Sequence, residues 1–216
     1  MIRKGLAEFL GTYLLVFCGV GACTINEVTH GTISHVGVAI TFGLVVTVLI
    51  YAFGNVSGAN LNPAVSIAFW LGQKMETFTM IIYVTSQIVG AICASATLYY
   101  LFPSAIHYGA TIPLGSESQS FVLELLLSFI LMFVVTRVGV QESKYQHIAG
   151  GIIGMVVLLE AMFAGPISGA SMNPARSIGP AIVSGETTSL WLYLVAPVGG
   201  AVAGYFLAVF FENSQD

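Results

Sequence analysis

The sequence predicts an all-α membrane protein, with six transmembrane helices and two re-entrant half-helices in a 3+3 inverted repeat filling residues 1–216 as a single domain. Three observations predict it. Charged residues make up 7% of the chain against 56% hydrophobic, where a soluble domain carries about a quarter charged. Six apolar runs are each long enough, at ~1.5 Å of rise per residue, to cross a hydrocarbon core of ~30 Å. An eleven-residue segment occurs twice, half a chain apart. This composition excludes a water-coated globule and a disordered chain. A net charge of −4 with six scattered Lys and Arg also excludes a nucleic-acid partner, since no phosphate backbone could be neutralised. Cys18, Cys23 and Cys93 fall in apolar runs without metal-ligand spacing, so they read as small hydrophobes, and no metal or cofactor is expected.

The first run, Gly5–Ile25, follows Arg3 and Lys4; it is too long for the apolar region of a signal peptide, and five more spans follow. Val36–Gly54 is the second. Pro63–Leu71, about ten residues and therefore ~15 Å as a helix, is half a span. Phe78–Phe102, Phe121–Val140 and Ile148–Ile167 are the third, fourth and fifth spans. Residues 174–183 form a second half-span, and Leu190–Phe211 is the sixth span. With cytoplasmic N- and C-termini, Arg3, Lys4, Lys74, Arg137 and Lys144 all lie on the cytoplasmic side, as the positive-inside rule requires. Arg176 is the exception. It falls between spans five and six, in a connection placed outside.

The repeat accounts for that exception. Ser57-Gly58-Ala59-Asn60-Leu61-Asn62-Pro63-Ala64-Val65-Ser66-Ile67 and Ser168-Gly169-Ala170-Ser171-Met172-Asn173-Pro174-Ala175-Arg176-Ser177-Ile178 agree at eight of eleven positions, offset by 111. Each half, 1–102 and 120–211, holds three spans. Three is odd, so the second half enters the membrane inverted, as in many transport proteins. Glu8 and Glu124 sit near the start of the first span of each half.

Asn followed by Pro starts a helix strongly, because Asn caps and Pro lacks the N–H that would be orphaned at the first position. Ser-Gly-Ala before it supplies small residues for non-helical backbone at membrane depth, tolerated only where protein or a water-filled cavity surrounds it. Inversion brings the two half-helix N-termini together near the midplane, each with a partial positive charge of roughly half an electron. Asn62 and Asn173 would offer amide donors there to a water or hydroxyl oxygen, while a cation or proton would meet an opposing field.

The paired Ser-Gly-Ala-x-x-Asn-Pro-Ala segments, the Ala7-Glu8-Phe9-x-Gly11-Thr12 opening and the six spans closely resemble the aquaporin and major intrinsic protein family over essentially the whole chain. The resemblance implies a passive channel, not an enzyme, for water and small uncharged solutes, built as a homotetramer in the cell membrane (the inner membrane of a bacterium). It identifies Asn62, Pro63, Ala64, Asn173, Pro174 and Ala175 as the paired boxes. It implies a constriction formed by Phe42, Ala161, Ala170 and Arg176. Carboxylates at Glu8 and Glu124 are implied to accept hydrogen bonds from the re-entrant backbone. Strict water channels of the family carry His where Ala161 stands, so a pore wider and less polar than theirs is expected; glycerol facilitators carry Trp at the position of Phe42 and a second aromatic at that of Ala170, an arrangement this sequence also lacks. The segment from Gly165 to Ser177 looks most like the nodulin-like intrinsic proteins and their bacterial relatives, a group that passes glycerol and uncharged metalloid hydroxides. Ser177 and Ala181 instead follow the water-channel pattern.

Glu160 has no counterpart in that pattern. It is a candidate anchor for the outer loop or for Arg176; alternatively it faces a helix interface as a neutral acid. A proton-coupled secondary transporter of a small polar solute is the rival reading, since inverted repeats and intramembrane Glu occur there too. Matched half-helices and an Arg that opposes protons favour the channel. Gly150-x-x-x-Gly154 and Gly200-x-x-x-Gly204 are read as packing sites within one bundle.

Overall fold

The computed structural model describes residues 1–139 and 145–213; Val140, the end of the fourth predicted span, and Lys144 lie outside them. Eight α-helices follow in order: α1 (Ile2–Val28), α2 (Ser34–Ser57), α3 (Pro63–Leu71), α4 (Thr77–Leu101), α5 (Glu117–Gly139), α6 (Ala149–Ser168), α7 (Pro174–Ser184) and α8 (Leu190–Asn213), with a short 3₁₀ turn at Gln146–Ile148. All but α3 and α7 are long and apolar enough to cross a membrane. The second half-helix ends at Ser184, one residue past the expected end, where Gly185 caps it in the left-handed conformation.

Small residues set how closely the helices approach. Cβ atoms built at Gly200 and Gly204 of α8 would collide with the Leu125 and Phe129 carbonyls of α5, and one at Gly90 of α4 with the Phe9 carbonyl of α1. At Gly154 of α6 a Cβ would strike Thr47 and the Gly43 carbonyl of α2, while Gly150 packs beneath the Tyr51 ring. Both glycine pairs therefore serve contacts inside this one chain.

The half-helices pack crosswise: α3 lies mainly on α8, and α7 on α4. Phe69 meets the Tyr205 ring edge-on, and the Tyr205 hydroxyl donates to the Gly72 carbonyl at 3.1 Å. Outward faces are apolar at i, i+4 spacing, with Val36, Ile40, Leu44 and Val48 on α2 and Met155, Leu159 and Phe163 on α6. This is the reverse of a soluble bundle. Cys93 lies on such an exposed face and Cys18 and Cys23 are half-buried, so the thiols are less enclosed than the apolar runs suggest.

Candidate functional site

Each half-helix is approached by backbone that ordinary residues resist. Gly58, Ala59 and Leu61 have φ of 84°, 48° and 52°; Gly169, Ala170 and Met172 have 85°, 41° and 53°. Left-handed conformation costs a non-glycine residue roughly 1–2 kcal/mol, so something must hold these turns. A buried carboxylate does so in each. Glu8 accepts from the Ser57 hydroxyl (2.6 Å), the Asn60 and Leu61 N–H groups (3.0 and 2.7 Å) and the Gln87 amide (2.7 Å). Glu124 accepts from the Ser168 hydroxyl (2.7 Å) and the Ser171 and Met172 N–H groups (both 2.8 Å). Tyr83 and Tyr193 cap the turns by donating to the carbonyls of Ser57 (2.7 Å) and Ser168 (2.6 Å).

The asparagines are shared between the two segments. Asn62 Oδ1 accepts from Ala64 N–H at 2.9 Å, and its amide donates to the Met172 carbonyl at 2.8 Å. Asn173 Oδ1 accepts from Ala175 and Arg176 N–H at 3.0 and 3.3 Å, and its amide donates to the Leu61 carbonyl at 2.9 Å. Each segment thereby pins the other's left-handed residue. An amide nitrogen carries two hydrogens, so one N–H of each Asn is left for a guest. Both Asn residues line the same cavity, at 5% and 6% exposure. Pro63, Ala64, Pro174 and Ala175 are buried in the first turns and contribute packing.

That cavity has a volume of about 590 Å³, and Phe42, Ala161, Ala170 and Arg176 all line it with the two asparagines. Phe42 reaches it because Gly19 of α1 leaves room; a Cβ there would strike the ring. Arg176 is 4% exposed, its guanidinium carbon 5.3 Å from the centre of the Phe42 ring, within cation–π range. Its Nη1 donates to the Gly109 carbonyl at 2.8 Å, and Nε has no hydrogen-bond partner among the described residues. Val65, the counterpart of Arg176, lines the cavity as an apolar wall.

Among the described residues Glu160 anchors neither the outer loop nor Arg176. It is 1% exposed, both carboxyl oxygens lack hydrogen-bond partners among the described residues, and neither the outer loop nor Arg176 bonds to it. The reason is rotational: successive helical residues are ~100° apart, so Ala161 faces the cavity while Glu160 points into the bundle. Several contributors carry no motif of their own: Gln87, the two tyrosines, Gly109, and Thr111, whose hydroxyl donates to Ser177 at 2.8 Å. The tyrosines could be sought as a pair offset by 110; Gly109 and Thr111 offer no such signal. Among the described residues no group of three or more His, Cys, Asp or Glu is placed to hold a metal ion.

Six long apolar helices around two opposed half-helices, with donors converging on one cavity, define a membrane channel. The major intrinsic protein family model matches residues 1–207. Aquaporin NIP1-1 of Zea mays is 49% identical over 204 residues, covering 94% of this chain and 72% of that one. Nodulin-26 of Glycine max is 44% identical over 204 residues, covering 94% and 75%. The X-ray structure of the aquaglyceroporin from Plasmodium falciparum superposes with a TM-score of 0.84 at 28% identity, covering 99% and 96%.

The chain belongs to the major intrinsic protein family. It is a multi-pass membrane protein and a passive channel for water and small uncharged solutes, neither an enzyme nor a proton-coupled transporter.

Proposed function

We propose that the small uncharged solutes this channel passes are of the glycerol and metalloid-hydroxide class, and that they cross a constriction formed by Phe42, Ala161, Ala170 and Arg176. The observation that carries this reading is that two alanines share the cavity wall with Phe42 and Arg176. Two methyl groups leave room and offer no hydrogen bond, so selection falls to the Arg176 donors, the Phe42 face and the spare N–H of Asn62 and Asn173. Arg176 and the two half-helix N-termini set a positive field against cations and protons. Glu8 and Glu124 act as supports, holding the segments that present these groups. On this reading residues 1–216 are one channel domain of two inverted repeats, 1–102 and 120–211. It sits in the cell membrane (the inner membrane of a bacterium) as a homotetramer, with both termini cytoplasmic; the placement of Arg3, Lys4, Lys74 and Arg137 supports that orientation.

Purified protein in liposomes tests the solute range, by parallel swelling measurements with water, glycerol, urea and boric acid. Downhill glycerol or boric acid flux, unchanged by a protonophore, is expected; water flux alone would refute the wider range. Ala161→His should then lower glycerol flux by roughly tenfold and water flux far less, since steric fit in a pocket is worth about that much. Equal losses for both would count against the constriction.

A further inference from the structure

The arginine of the constriction is held by the carbonyl of Gly109, in the connection between α4 and α5, and that connection is itself tied down from a distance. Glu27, in the last turn of α1, accepts from the Ile106 N–H at 2.9 Å and from the His107 N–H at 3.2 and 3.3 Å. Two residues further on, the Gly109 carbonyl receives Arg176 Nη1 at 2.8 Å. Gly109 has φ of +65°, and a Cβ there would lie 2.9 Å from both Cys23 Cβ and Val20 Cγ1. The connection is thus pressed onto α1 by a residue with no side chain and fastened there by a carboxylate. A second tie, His107 Nδ1 to Glu186 Oε1 at 3.4 Å, is an ion pair only when the imidazole is protonated. The Glu27 tie uses backbone N–H groups and does not depend on that proton.

We propose that Glu27 is a positioning residue for the constriction: by clamping residues 106–107 it fixes the Gly109 carbonyl that draws the Arg176 guanidinium to the cavity wall. This inference rests on the proposed role of Arg176. Gly109 is not itself part of the cavity lining, whereas Arg176 is, so the bond ties the guanidinium back toward the connection at the cavity wall. Without the clamp the carbonyl drifts and the guanidinium swings inward, obstructing a larger solute more than water.

The test compares the glycerol-to-water permeability ratio in liposomes for the unmodified channel, Glu27→Ala, Glu27→Gln and Arg176→Val. Labelling of Cys23 by a charged, membrane-impermeant thiol reagent, read by peptide mass spectrometry, reports whether the connection still covers α1. Hydrogen bonds to a charged acceptor shift such an equilibrium by roughly tenfold or more. Glu27→Ala should therefore lower the ratio by about threefold and raise Cys23 labelling by about tenfold. Glu27→Gln keeps a carbonyl acceptor and should shift both less. A variant that merely folds poorly lowers both permeabilities in proportion and leaves the ratio intact.

An unchanged labelling rate overturns the inference, as does a ratio that is unchanged or higher. If Arg176→Val alters the ratio and Glu27→Ala does not, the clamp fails while the constriction stands. If Arg176→Val changes neither the ratio nor ion exclusion, the constriction itself fails. Should the unmodified channel refuse glycerol, the proposed solute range falls, and Cys23 labelling decides the clamp.

Discussion

The two Asn-Pro-Ala segments share a backbone and differ in what surrounds it. Left-handed residues fall at equivalent positions, 58, 59 and 61 against 169, 170 and 172, each series held by one buried carboxylate. The side chains then diverge. Val65 lies where the second segment has Arg176, and Asn60 where it has Ser171. Ser66 is held by Gln87 from α4 (3.0 Å) and by Asn60 (3.2 Å). Its counterpart Ser177 takes a bond from Thr111 of the outer connection and shares one with Ser171 (2.6 Å). The cavity takes in the first segment from Gly58 onward but the second only from Ala170, because Thr111 packs onto Gly169. The first segment thus faces the cavity over a longer stretch, and the second is the one that carries the proposed constriction residues Ala170 and Arg176. The common backbone supplies the paired asparagines; on the proposed reading, the added connection and Arg176 supply selectivity.

Removing the largest difference should have the largest effect. Arg176→Val makes the second segment resemble the first and deletes the one Arg or Lys side chain that lines the cavity among the described residues. A unit charge at ~4 Å is worth about 4 kcal/mol at an effective dielectric of 20, so proton or cation leak should rise by at least about tenfold even with water screening. Conductance across planar bilayers and dye-reported proton flux in liposomes measure it. A leak that stays at the lipid background would mean that the half-helix fields alone exclude ions.

The supports should break unequally. Replacing Glu124 by Gln puts an NH₂ against the Met172 or Ser171 N–H, and a buried donor left unpaired costs about 1–3 kcal/mol. Glu8→Gln creates the same conflict at Leu61, but there Gln87 can turn. Its Oε1 has no hydrogen-bond partner among the described residues; turned, it can accept from the new amide and from the Ser66 hydroxyl, which then donates in place of accepting. Glu124→Gln should therefore lower the unfolding midpoint in detergent more than Glu8→Gln, by a difference of about 1 kcal/mol. A larger loss for Glu8→Gln would show that the Gln87 amide is locked in place.

Legibility in the sequence follows the range of the interactions. Asn-Pro starts both half-helices through contacts within four residues, so their starts at Pro63 and Pro174 are readable directly. Span positions follow from hydropathy, with ends off by up to four residues, because caps such as Gly58 are set by local geometry and not by polarity. Phe42 and Ala161 come from resemblance, and the cavity brings them together with Arg176. The partner of Arg176 is 67 residues away, in a connection without periodicity, and is a backbone carbonyl that no residue type announces. Glu160 misleads for the opposite reason: adjacency to Ala161 suggests a shared environment that helical rotation denies it.

The smallest effect sharpens the comparison at the serines. Gln87→Leu removes two bonds, one to the Glu8 carboxylate at 2.7 Å and one to Ser66 at 3.0 Å, so a loss of about 2 kcal/mol is expected. Thr111→Val keeps the branched shape that packs on Gly169 and removes one neutral bond to Ser177. Ser177 can still donate to Ser171, whose hydroxyl donates onward to the Asn173 carbonyl at 3.0 Å, so the chain to the pore asparagine survives. Thermal unfolding should therefore show a loss of about 1 kcal/mol or less for Thr111→Val. If Thr111→Val proves as damaging as Gln87→Leu, the hydroxyl chain is oriented from Thr111 inward. The outer connection would then hold Asn173 in place as well as Arg176.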